Sequence, residues 1–215
     1  PVITDNLSLY AFRGYVNINM YQELYECVEE LGNPEIVYTN LHYVTDDRMR
    51  EYNVPRSKKG YAGTPITNKM MITSLNPSMC NKIVRRDFLG GTRFMENSMW
   101  EDAAMTYSLH VRANSFASID NHNYYYRQNK DGLSRKNNHY NPDIYDIFRV
   151  IDEIKKEAKA NKRDKFYHKE LRLIYFALAF VRIGEAMKWK PRSPEEKGEI
   201  IKTRKKMYIE TFNFF

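Results

Sequence analysis

The chain has 215 residues and a mass of 25.7 kDa, enough for one sizeable domain or two small ones without a disulfide or metal to hold it together. Its 42% apolar and 28% charged residues exclude a mainly disordered or fibrous chain, and 17 Tyr with 11 Phe predict a ring-rich core. The formal charge of +7 is unevenly placed: residues 149–215 carry eighteen Lys and Arg against ten Asp and Glu, whereas 1–148 are close to balanced.

In chain order, the first strong signal is a helix over Asn19–Leu31, with Asn17 or Asn19 as its cap. Met20, Leu24, Cys27, Val28 and Leu31 form one stripe, and Gly32 and Pro34 end it. Glu35–Val44, rich in β-branched and aromatic residues and bounded by breakers, predicts a strand. Residues 45–68, punctuated by Pro55, Gly60, Gly63 and Pro65, predict a loop or ragged hairpin and a candidate mobile segment.

Pro77–Leu89 reads as a short helix or turn ending at Gly90-Gly91. Met99–Ala113 reads as a helix whose Ser98-x-x-Glu101 start has the spacing of a capping box. Ser115–Ile119 and Asn123–Gln128 read as two short strands. Beyond Pro142 the pattern is helical, with Ile144, Ile147, Phe148, Ile151 and Ile154 at helical spacing, then segments 166–188 and 195–209. The expected architecture is therefore α/β, a mixed sheet with flanking helices over 1–140 followed by a basic helical region over 141–215.

Cys27 and Cys80 lack the spacing of a disulfide framework or a zinc knuckle, and no signal-peptide pattern opens the chain, so a reducing, cytoplasmic setting is expected. The uncharged run Leu173–Val181 is too short for a bilayer crossing. No phosphate-binding loop, dinucleotide turn, HExxH or nucleophile elbow occurs; His42, His110, His122, His139 and His168 have no metal-site spacing, although folding could assemble one, and most of them read as surface or ordinary polar residues.

The informative stretch is Asn81–Ser134. It contains Asn81-Lys82, Arg93-Phe94, Trp100-Glu101-Asp102, and Tyr124-Tyr125-Tyr126-Arg127 followed by Asp131-Gly132-Leu133-Ser134. With Met20–Glu26 and Glu35-Ile36-Val37 upstream, this ordered succession resembles the acceptor-side half of family 2 glycosyltransferases of the GT-A fold, over residues 15–135.

That resemblance implies inverting transfer of a sugar from a nucleotide-sugar donor to a hydroxyl acceptor, lipid-linked or polysaccharide. Inversion needs a base to take the acceptor proton. By the match, Asp102 is that base, while Glu101 has a competing role in the capping box. Trp100 is a candidate sugar-stacking ring, with packing as its alternative. Strand alternation puts Tyr124 and Tyr126 on one face and Tyr125 and Arg127 on the other, which makes Arg127 a candidate for a diphosphate or acidic acceptor. Lys82 and Tyr126 complete the candidate binding set.

Members of that family hold Mg²⁺ or Mn²⁺ through a D-x-D motif. Here Leu9–Gly14 stands where an F-L-D-S-D-D-like run is expected, and Asp5 and Asp46-Asp47 are spare carboxylates elsewhere. The nucleotide-binding half has no counterpart, so a truncated copy, a half supplied by another polypeptide and a scaffold reused without catalysis all remain open.

Two rivals stand beside the enzyme. One is a non-catalytic interaction module docking through Lys202, Arg204, Lys205 and Lys206. The other is a nucleic-acid binder using pI ≈ 9.2 and its tyrosines, disfavoured because the basic residues and the tyrosine cluster lie in different segments. For the enzyme, the basic tail is expected to lie peripherally against the inner face of an anionic membrane.

Overall fold

A computed structural model describes residues 6–8, 14–45, 48–52, 61–63, 68–74, 77–128 and 139–213. The chain is a mixed α/β protein. Its described strands are β1 (Asn6–Ser8), β2 (Gly14–Val16), β3 (Ile36–Val44), β4 (Met49–Tyr52), β5 (Tyr61–Gly63), β6 (Lys82–Arg85) and β7 (Phe116–Arg127). The helices are α1 (Met20–Glu30), α2 (Met71–Ser74), α3 (Arg86–Leu89), α4 (Glu101–Arg112), α5 (Asp146–Ala160), α6 (His168–Met187) and α7 (Pro194–Asn213), with a 3₁₀ turn at Pro142–Tyr145 before α5.

The strands join in one sheet of order β1-β6-β3-β7-β2, with β4 added beside β3 and β5 beside β7. The central β3–β7 pair is parallel, and every other pairing is antiparallel. Alternation along β3 sends Val37 and Leu41 to the α1 face, where Met20, Leu24, Cys27 and Val28 cover them. It sends Ile36 and Tyr38 to the α4 face, against Met105 and Leu109. The stripe expected on α1 is the buried one, and Gly32, at φ 75°, makes the left-handed exit from it. Gly14 is fixed by a close approach: a Cβ there would fall 2.2 Å from the Tyr124 hydroxyl.

Residues Ala103 through Val111 of α4 are all buried, because the helix serves two cores at once. Met105 and Leu109 face the sheet, while Ala103, Ala104, Tyr107 and Val111 join Ile147, Ile151 and Ile154 of α5 and the buried faces of α6 and α7. The three long helices therefore occupy the expected C-terminal region, with α5 packed on α4, α6 on α5 and α7 on α6.

Four local expectations are corrected. Lys82–Arg85 is a strand, because its Ile-Val centre pairs with β1 on one edge and β3 on the other. The two short strands after residue 115 are one, Phe116–Arg127, whose pairing with β3 shifts register between Tyr38 and Leu41. The segment 45–68 contributes β4 and β5, which pair with different strands and so form no hairpin with each other.

Finally, α4 starts at Glu101 with Trp100 at the cap position and no side-chain cap. Ser98 Oγ instead accepts from the Trp100 N–H at 3.3 Å, which leaves the expected capping box unformed. Asp5, Leu9–Arg13, Asp46-Asp47 and Asp131–Ser134 lie outside the described residues.

Candidate functional site

Three residues of α4 carry the polar chemistry of its sheet-facing side. Asp102, Thr106 and His110 recur at i, i+4 and i+8, which stacks them in one row along the helix. Opposite them the register of β6 on β3 sets Lys82 beside Tyr38. The segment between α2 and β6 straps across this row with three consecutive residues. The Thr106 hydroxyl donates to the Pro77 carbonyl at 2.8 Å, the Lys82 ammonium donates to the Ser78 carbonyl, and the Met79 N–H donates to Asp102.

Lys82 is 1% exposed, and its Nζ lies 4.9 Å from the centre of the Tyr38 ring. Burial pushes its ammonium down to about 7, opposed by the carboxylate of Asp102 and by Cys80. Asp102 is only partly buried. Burial raises its proton affinity above the usual carboxylate range and the neighbouring charge of Glu101 adds to this, against the opposing pull of Lys82 and the Met79 N–H.

His110 is fully buried, so it is not one of the histidines that read as surface residues. Burial and the Lys82 charge hold its imidazole down to about 3, so the ring is neutral at ordinary pH. Its Nδ1 then donates to the Ile72 carbonyl at 3.4 Å, and its Nε2 accepts from the Tyr38 hydroxyl. Burial, reinforced by Tyr107, keeps Tyr38 protonated by raising its affinity well above the ordinary value.

The structure therefore joins Lys82 to Asp102 and adds Tyr38 and His110, which sequence reasoning missed. The signal was present in the 102-106-110 spacing, which puts a carboxylate, a hydroxyl and an imidazole on one helix row. Lys82 is buried in a strand flanked by β1 and β3, and a lysine in an unrecognised strand reads as a surface charge.

The other candidates lie elsewhere. Trp100 packs against the helical core, and the Arg182 guanidinium sits 4.8 Å from its ring, so packing describes it better than an open sugar platform. Glu101, half-buried, acts on Asp102 through its charge. Tyr126 and Arg127 pair with Tyr43 and Val44, whereas Lys82 pairs with Tyr38; these lie five and six residues apart along β3, roughly 17–20 Å. Tyr126 is half-buried edge-on to Tyr43 at 5.7 Å, and Arg127 is exposed at the strand end.

On the sheet face shared by Tyr38, the rings of Tyr15, Tyr125, His42 and His122 stack in succession at centroid spacings of 4.5, 4.9 and 4.7 Å. A cleft of about 240 Å³ opens on another side of α4, between Arg93, Phe94, Ala104, Ser108, Glu153 and Glu157. Asp102 does not line it.

Of the four basic residues assigned to docking, Arg204 is tied internally, donating to the carbonyls of Ala186, Met187 and Trp189 at the end of α6. Lys206 lies 4.4 Å from the centre of the Tyr145 ring, and Lys202 is 3.9 Å from Glu199.

Among the described residues no group of three or more His, Cys, Asp or Glu side chains could hold a metal ion. No family model matches the chain, and no curated protein matches it.

Proposed function

We propose that the chain is a glycosyltransferase-like protein that moves a sugar from a nucleotide-sugar donor to a hydroxyl acceptor with inversion, Asp102 serving as base. The observation that carries this reading is the environment of that carboxylate. It is partly accessible, held by the Met79 N–H, and raised in proton affinity by burial with Lys82 pulling the other way. A carboxylate with raised affinity takes a hydroxyl proton more readily than an ordinary one. One Asp102 oxygen receives the acceptor hydrogen as the acceptor oxygen attacks the anomeric carbon, and the nucleotide leaves from the opposite face with the bonding electrons. Lys82 steadies the carboxylate before that transfer. Among the described residues no group of three or more His, Cys, Asp or Glu side chains fits the divalent ion that the family resemblance implies.

The test is release of nucleoside diphosphate from the common sugar nucleotides by the full chain, with and without carbohydrate acceptors. Asp102→Asn keeps the shape and removes the base. Expected is turnover that this substitution lowers by about 10²- to 10⁴-fold with the fold intact. Absence of transfer, hydrolysis and calorimetric binding for every donor overturns the reading.

A second reading, an interaction module on the same scaffold, is favoured by the internal engagement of Lys82 and Trp100. It expects Asp102→Asn to leave the protein's activity in cells unchanged.

A further inference from the structure

Helix α6 is apolar on more of its surface than a helix that only fills a core requires. One face, carrying Leu171, Ile174, Tyr175, Ala179 and Ala186, is buried. The opposite, exposed face is also apolar: Leu173, Phe176, Phe180, Val181 and Met187 project outward, with Ala177 and Gly184 between them. Phe180 is 58% exposed and Met187 62%, and the Phe176 and Phe180 rings stack at 5.2 Å. From Leu173 to Met187 the stripe runs about 21 Å at 1.5 Å per residue. Its exposed positions carry no charge, because Arg182 and Glu185 bond each other at 2.8 Å and Arg182 turns to Trp100.

Both ends of the stripe are basic. Lys169 precedes it on the same face, beside the half-buried Glu170 and with Arg172 at the flank, and Lys188 and Lys190 follow it, the four cations all exposed. We infer that this face of α6 is a membrane-docking surface: the helix lies in the plane of an anionic bilayer, its rings in the acyl boundary and its terminal cations on the headgroups. An uncharged stripe bracketed by cations complements such an interface. It does not complement a second copy of itself. Pairing two α6 faces, parallel or antiparallel, opposes basic end to basic end in either direction. No helix among the described residues is long and apolar enough to cross a membrane, so the contact is a surface one. The inference locates on α6 the contact that the charge balance alone assigned to the basic tail, and it does not depend on the transferase reading.

The experiment is flotation of the full chain with vesicles of phosphatidylcholine containing about 30% phosphatidylglycerol, and with phosphatidylcholine alone. Expected is binding to the anionic vesicles that weakens at least about tenfold in the neutral ones and in about 0.5 M salt. Phe176→Glu with Phe180→Glu abolishes flotation without moving the melting temperature, and Lys169→Glu with Lys188→Glu weakens it at least about tenfold. Since Cys27 and Cys80 are buried, Ala177→Cys accepts a nitroxide selectively, and vesicles then raise its exposure to oxygen over that to a polar relaxant. No flotation of the wild type, flotation insensitive to the phenylalanine pair, or a dimer in sedimentation that Phe180→Glu dissolves while vesicles stay unbound overturns the inference. An unchanged nitroxide environment does so as well.

Discussion

Lys82 and Asp102, twenty positions apart in sequence, act on each other inside the fold: the carboxylate holds up the lysine's proton affinity and the lysine holds down that of the carboxylate. One comes from the start of β6 and the other from the first turn of α4. Neither is at its ordinary value, and burial is the first cause for both.

The protein is expected to gain stability as pH rises from 7 to 9. Folded Lys82 releases its proton near 7, whereas the unfolded chain keeps it until about 10.5. The unfolded state therefore binds more protons over this window, and raising pH favours the folded one by up to about 2 kcal/mol. Above pH 9 the sign reverses for Cys27, whose thiol burial pushes up to about 11. Urea midpoints across pH 7–9 check this, and Lys82→Met should flatten the slope.

Tyr38→Phe is expected to cost about 1–3 kcal/mol, because it leaves the buried His110 Nε2 without its donor. Combined with His110→Phe the loss should be less than the sum of the single changes, since the second substitution removes the orphaned acceptor. A double-mutant cycle in thermal or urea unfolding measures that coupling.

On the acid side His110 contributes stability that is lost as pH falls below about 6.5. The unfolded imidazole takes up a proton there, while the folded one stays neutral to about 3. His110→Phe should therefore shallow the acid branch of the stability profile relative to the wild type.

Gly14→Ala should destabilise by about 1–3 kcal/mol, the range for overpacking, since the new methyl meets the Tyr124 hydroxyl and ring. Tyr124→Phe removes the nearest of those atoms, so the pair should recover part of the loss in melting temperature.

Much of the helical content was legible because burial on one face leaves a period in the sequence. The stripe Met20-Leu24-Cys27-Val28 and the Ile147-Ile151-Ile154 row are buried as their spacing implies. The strand at Ile36–Val44 was legible for a different reason, its long β-branched and aromatic run between breakers. Lys82–Arg85 was not, since a four-residue strand hydrogen-bonded on both edges and buried on both faces shows no alternation. At the site, Asp102 and Lys82 were each visible as candidates, but their association depends on the β6–β3 register and on the 77–79 strap. Arg127 was assigned to the same neighbourhood because strand alternation gives a side chain's face and not its distance along the sheet.

Because α4 is bonded to both halves of the chain through opposite sides, neither half is expected to stand without the other. A protease nick near His139 would leave the fragments gripping one another, and chromatography under native conditions would return them as a single species until denaturant dissolved both cores together.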